Sequence, residues 1–184
     1  MRLFIALDIP GEIRKRLTEY MERVRSYAGD ARWARMEGLH VTLKFIGEVK
    51  DPKPEEIKNA LNAVKAQQFQ VSFANVGFFP NPKSPRVFWA GVQSGEELAR
   101  LALEIDKTTE KLGIAREDRE FSPHLTLARA GTRDPQSLKG LAPLLTAEAA
   151  PQFGTMTARE FWLYQSQTGP GGSKYTKLQR YSLE

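Results

Sequence analysis

Apolar positions along the chain follow two periods in alternation. Arg2–Leu7 is a short apolar run that Pro10 and Gly11 break, and it reads as a strand. From Glu12 to Tyr27 the apolar residues Ile13, Leu17, Tyr20, Met21 and Val24 recur at helical spacing, and Gly29-Asp30 ends that helix. Trp33–Met36 leads into a strand over Leu39–Ile46. Pro54 is well placed to open a helix over Pro54–Gln67, with Ile57, Leu61 and Val64 on one stripe. Phe69–Val76 alternates at strand period, and the run from Pro80 to Pro85 is a loop. The plan then repeats. Val87–Val92 reads as a strand, Glu96–Leu112 as a helix capped by Gly113, and His124–Ala128 as a strand. Ser137–Glu148 is a weaker, alanine-rich helix. Thr157–Tyr164 and Tyr175–Leu183 are strands joined through the turn Gly169-Pro170-Gly171-Gly172.

The repetition reaches individual residues. The phrase His40-Val41-Thr42-Leu43, closing at Gly47, returns as His124-Leu125-Thr126-Leu127, closing at Gly131, and these are the chain's two histidines. Sliding the sequence by 84 residues (124 − 40) aligns Arg2, Phe4 and Ala6 with Arg86, Phe88 and Ala90 without a gap. It also aligns Gly11-Glu12 with Gly95-Glu96, Gly29 with Gly113, and Phe69 with Phe153. One shared offset over so many positions points to a duplicated unit, approximately 1–80 and 86–165, within a single bilobal domain spanning 1–184. The expected class is α+β. Two pseudo-symmetric lobes each carry a small antiparallel sheet with helices on the outer face, and a central groove separates them.

Composition narrows the function classes. The chain has 184 residues, a net charge of +5 and no cysteine. Thiolate metal sites and disulfides are therefore excluded. No stretch is apolar enough to cross a membrane, and the N-terminus reaches Asp8 too early for a signal peptide, which fits a cytoplasmic protein. A pI near 9.5 suits a polyanionic partner. The basic residues are spread along the chain, with no consecutive run that would mark a tail.

The repeated phrase carries the chemistry. In a strand, His and Thr two residues apart share one face, while Val41, Leu43, Leu125 and Leu127 turn to a core. Two imidazoles opposed across an anion form an acid–base pair, since histidine titrates near neutrality. Threonine hydroxyls beside them can donate to phosphate oxygens. No Asp, Glu or Cys shares the motif face, so the expectation is chemistry without a metal or other cofactor.

These residues, with the opening Arg2-Leu3-Phe4-Ile5-Ala6-Leu7, the block Leu39–Gly47, the stretch Gly77-Phe78-Phe79-Pro80, the run Trp89-Ala90-Gly91 and Pro123–Arg129, resemble the two-histidine phosphoesterases. The match is nearest to the RNA 2′,3′-cyclic phosphodiesterases, also called 2′-5′ RNA ligase-like proteins. The resemblance implies metal-free hydrolysis of a 2′,3′-cyclic phosphate RNA end to a 2′-phosphate. It implies His40 as proton donor and His124 as proton acceptor, with Thr42 and Thr126 on the phosphate. The partner is RNA with such ends, tRNA fragments among the candidates, and the protein is expected to act as a monomer. Arg129 is a candidate for added charge at the groove edge, although strict alternation points it away from His124. Phe45 and Phe79 are candidates for stacking on a base. The core is the expected place for Phe45, and Phe79 is left open. A non-catalytic RNA-end-binding module and a 2′-5′ RNA ligase activity are the competing readings.

Overall fold

The computed structural model describes residues 1–147 and 149–184. The strands are β1 (Arg2–Leu7), β2 (Arg32–Trp33), β3 (Val41–Glu48), β4 (Phe69–Phe79), β5 (Val87–Gln93), β6 (His124–Arg129), β7 (Gln152–Ala158), β8 (Glu160–Gly169) and β9 (Gly172–Ser182). The helices are α1 (Gly11–Val24), α2 (Lys53–Leu61), α3 (Glu96–Glu110) and α4 (Leu144–Ala147). Two antiparallel sheets result, ordered β3-β1-β8-β9 and β2-β6-β5-β4-β7.

Four elements depart from the sequence expectation. The helix expected over Ser137–Glu148 is a 3₁₀ turn at Lys139–Leu141 followed by the short α4, and Glu148 lies outside the described residues. Pro143 between the two pieces has no N–H to continue a helical ladder. The helix expected to run to Gln67 stops at Leu61, because Ala66 and Gln68 exchange backbone hydrogen bonds with Glu184 at the far end of the chain. The strand expected over Thr157–Tyr164 is two strands, β7 and β8, broken at Arg159. Each belongs to a different sheet, so the break is where the chain crosses between them. Finally, β2 was not foreseen as a strand.

The halves of the sequence are not the halves of the fold. β4, from the first half, pairs with β5 in the second sheet, and β8, from the second half, pairs with β1 in the first. Each motif sheet thus takes two strands from the other half of the sequence, β8 and β9 in the first and β2 and β4 in the second. The helices cross similarly. Tyr20 of α1 packs against Phe88 and Phe153 of the second sheet, and α3 anchors the first. One continuous apolar core fills the space among them, with Ile5, Leu7, Leu17, Ile57, Phe73, Phe88 and Phe161 fully buried. Burying such side chains stabilises by roughly 1.5–3 kcal/mol each.

The ungapped alignment slips by one residue in the first strand. Phe4 lies opposite Phe45, whereas Arg129, which is 84 residues beyond Phe45, lies opposite Val87 rather than Phe88. Phe4 and Phe88 match in sequence yet face opposite sides of their sheets: Phe4 packs with Tyr164 away from the main core, and Phe88 is inside it.

A buried ion pair joins the first motif strand to α3. Lys44 Nζ donates to Asp106 at 2.6 Å and to the Ala115 carbonyl at 2.7 Å, with side chains only 3% and 9% exposed. Burial alone would raise the Asp106 carboxyl. Hydrogen bonds from Lys44 and the Glu117 N–H, helped by Arg116, outweigh it and hold the carboxyl below its ordinary 3.8. Removing one partner strands the other charge in the core, so Lys44→Ala or Asp106→Ala is expected to cost about 3–5 kcal/mol in urea unfolding. A carboxyl lowered by folding adds stability that is present above the ordinary carboxyl range and is lost as pH falls through its folded value. Wild-type stability should therefore fall below about pH 4 more steeply than that of Asp106→Asn, as acid titration of the melting temperature will read.

Candidate active site

The two motif strands share one irregularity. Along β1 and β3, Ile5 pairs with Lys44 and Ala6 with Thr42, so Leu43 is an extra residue with no partner. Along β5 and β6, Phe88 pairs with Ala128 and Trp89 with Thr126, so Leu127 is the extra residue. A bulge of this kind puts two consecutive residues on one side and inverts the alternation beyond it. Leu43 and Lys44 are both buried, as are Leu127 and Ala128. The next residues, Phe45 and Arg129, are returned to the side of the histidines.

That corrects two expectations. Phe45 is not in the core. It is 66% exposed, with its ring 6.3 Å from Phe4, which itself stacks on His40. Arg129 does not point away from His124. It is exposed on the same face as His124 and Thr126. Thr42 and Thr126 are half-buried, and their hydroxyls make no hydrogen bond among the described residues. β3 and β6 approach within 8 Å, Cα to Cα, which brings the two motif strands to the seam between the sheets.

Each histidine has its own surroundings. His40 sits one residue before β3 on an aromatic bed. It stacks on Phe4 at 4.7 Å and Tyr164 at 5.4 Å, and meets the edge of Tyr175 at 5.1 Å. A cavity of about 340 Å³ opens beside it, lined by Asp8, Arg14, Met36, Glu37, Tyr164, Tyr175 and Lys177. Asp8 accepts from Arg14 at 2.6 Å and from Lys177. Burial on the aromatic bed disfavours the imidazolium, and the Arg14 cation disfavours it further. Asp8 opposes them only in part, and the His40 pKa falls to about 4. Burial likewise pushes the Tyr164 phenol up.

His124 opens β6, and its Nδ1 lies 2.8 Å from the Ser122 carbonyl. A carbonyl only accepts, so Nδ1 carries the proton and Nε2 is the nitrogen left to accept one in the neutral ring. Phe79 meets the His124 ring edge-on at 4.9 Å and packs on Trp89 at 5.4 Å. Phe79 therefore buttresses the imidazole. Trp89 lies flat across Gly77, where a Cβ would come within 2.2 Å of the indole, so only glycine fits beneath it.

Sequence reasoning gave no role to Asp8, Arg14, Tyr164, Tyr175 or Lys177. Tyr175 and Lys177 do alternate at strand period, but no local signal says that β8 will pair with β1 some 160 residues away. Among the described residues, no three His, Asp or Glu side chains are grouped to hold a metal ion, and no helix is long and apolar enough to cross a membrane.

The two His-x-Thr strands meet at the seam of two antiparallel sheets, the arrangement expected of the two-histidine phosphoesterase class. The family model described as LigT like Phosphoesterase matches residues 7–89 and 91–175. The chain belongs to this family of LigT-like phosphoesterases. An Archaeoglobus fulgidus protein named RNA 2′,3′-cyclic phosphodiesterase is 38% identical over 97% of this chain and 98% of its own. A Methanocaldococcus jannaschii protein of the same name is 32% identical over 98% of this chain and all of its own. The crystal structure of E. coli LigT complexed with 3′-AMP superposes with a TM-score of 0.79 at 28% identity, covering 99% of this chain and 97% of that one.

The electrostatics of His40 are directly testable. Its imidazole should stay neutral down to about pH 4 in the free protein. Arg14→Gln removes a cation and should raise that value, while Asp8→Asn removes an anion and should lower it further. Imidazole ¹⁵N NMR titration reads both directions. A His40 that titrates at its ordinary 6.5 in all three proteins would contradict this electrostatic picture.

Proposed function

We propose that the chain hydrolyses RNA 2′,3′-cyclic phosphate ends to 2′-phosphates, using His40 and His124 as an acid–base pair. The observation that carries the reading is the bulged His-x-Thr strand, present twice and meeting at one seam. The names of the full-length relatives support the substrate class. His124 Nε2 takes a proton from water, whose oxygen attacks phosphorus. The P–O3′ bond breaks, and His40 gives its proton to O3′, leaving a 3′-hydroxyl and a 2′-phosphate. Thr42 and Thr126 donate to the non-bridging oxygens, and Arg129 adds positive charge at the edge. Phe45, exposed beside Phe4, offers its ring to a base. Phe79 acts on His124 rather than on the base. The two strands derive in this reading from one duplicated unit within a single two-lobed domain.

His40 is neutral in the free protein at pH 7, so its proton must arrive with the substrate. A phosphate anion docking beside the imidazole favours the charged ring and should raise its pKa by roughly one to three pH units. The same low value supports a second reading with the roles exchanged, His40 accepting and His124 donating. Imidazole NMR with a nucleoside 2′-monophosphate bound separates them. An upward move of His40 fits the first assignment, and a ring still titrating near 4 in an active protein fits the second.

Incubation with an RNA oligomer ending in a 2′,3′-cyclic phosphate should yield a 2′-phosphate end. His40→Ala and His124→Ala should each lower kcat by about 10²–10⁴ with the fold retained. Activity should survive exhaustive chelation, since the reading needs no metal. Binding without turnover would leave an RNA-end-binding module, and joining of 5′-hydroxyl RNA in preference to hydrolysis would favour a ligase.

A further inference from the structure

The second sheet carries two like charges side by side that no carboxylate among the described residues pairs with. β2 is two residues long and pairs with the end of β6, so that Arg32 lies directly opposite Arg129 and Trp33 opposite Ala128. Directly opposed residues share a face of the sheet. Trp33 fixes which face that is: it meets buried Phe88 edge-on at 6.2 Å, on the core side. Arg32 therefore projects from the other side, beside Arg129, in line with Thr126 and His124. Its Nε donates to the Ala130 carbonyl at 3.3 Å, which steadies the guanidinium and leaves both terminal nitrogens uncommitted. The Arg129 side chain makes no hydrogen bond or ion pair among the described residues. No described carboxylate lies within 4.0 Å of either guanidinium.

Like charges placed opposite one another destabilise a ladder. An anion between them reverses the sign, and guanidinium forks suit a phosphate. We propose that Arg32 and Arg129 together hold the internucleotide phosphate one step upstream of the cyclic end. This rests on the hydrolase reading above and deepens it: the site grips a chain rather than a lone nucleotide. Discounting the bulged residue, Arg129 is two strand steps beyond Thr126, roughly 7 Å at ~3.3 Å per residue. That separation assigns the pair to a phosphate other than the one at the threonines. The first lobe carries Phe45 where the second carries Arg129, so aromatic and cationic sides flank the seam. The terminal base then falls toward Phe45 and the upstream backbone toward the arginines.

The test uses two product ligands and calorimetric binding. Uridine 2′-phosphate has one phosphate, and the dinucleotide UpU 2′-phosphate adds the internucleotide one. Wild type should favour the dinucleotide, and Arg32→Ala should cut that preference about tenfold, the loss of one charged hydrogen-bonding partner. The slope of log affinity against log salt for the dinucleotide should fall by about 0.7. Arg32→Lys should restore part of the preference. A merely structural arginine predicts a lower melting temperature in Arg32→Ala, whereas relief of repulsion predicts an equal or higher one. An unchanged preference and salt slope in the folded variant overturn the inference while leaving the hydrolase reading intact. Failure of wild type to bind either ligand overturns both.

Discussion

One extra residue in each motif strand sets the chemistry of the groove. Without the bulges at Leu43 and Leu127, strict alternation would bury position 45 and position 129 with the leucines. With them, His, Thr and the sixth residue of each phrase share a face, and the fourth and fifth both go inward. The fifth residue in the first strand is Lys44, a charge in the core that must be answered, and Asp106 answers it from α3. The bulge thus fixes both the outward set on the histidine face and the inward anchor that ties β3 to a helix from the other half of the chain.

That anchor belongs to a wider interlock. β4 and β8 are exchanged between the sheets, α1 packs on the second sheet, and Glu184 bonds to the segment after α2. Neither half of the sequence can bury its apolar face alone, which accounts for a single core beneath both sheets. A groove built at the seam of such a structure holds its two motif strands at a fixed spacing. The proposed acid–base chemistry needs that rigidity, because one imidazole must reach the attacking water and the other the leaving oxygen of the same phosphate. The two rings are tuned differently within it. His40 lies on an aromatic bed that holds it neutral, and His124 is oriented by a backbone carbonyl.

Much of this was legible in the sequence because periodicity and the paired motif are local signals. The α+β class, helices α1 and α3, the motif strands and the two histidines all follow from spacing. The rest depends on contacts between distant segments. A bulge leaves no mark in a run such as Val-Thr-Leu-Lys-Phe, so the sides taken by Phe45 and Arg129 were misread by one step. A separate one-residue offset between β1 and β5 makes Phe4 and Phe88 match in sequence although one lies beneath His40 and the other fills the core. Tyr164, Tyr175 and Lys177 reach His40 only because β8 and β9 join the first sheet, and no nearby residue announces that pairing. Nothing local assigns Arg32 a place at the site, because a two-residue strand has no periodicity.

The most direct test of the account is a crystal structure with a nucleoside 2′-phosphate bound. The phosphate should lie between the two imidazoles, within hydrogen-bond reach of both and of the Thr42 and Thr126 hydroxyls. Arg129 and Phe45 should flank it from the same side of their strands. A phosphate bound to one motif alone, or an Arg129 turned to the core, would contradict the claim that two bulged strands build one site.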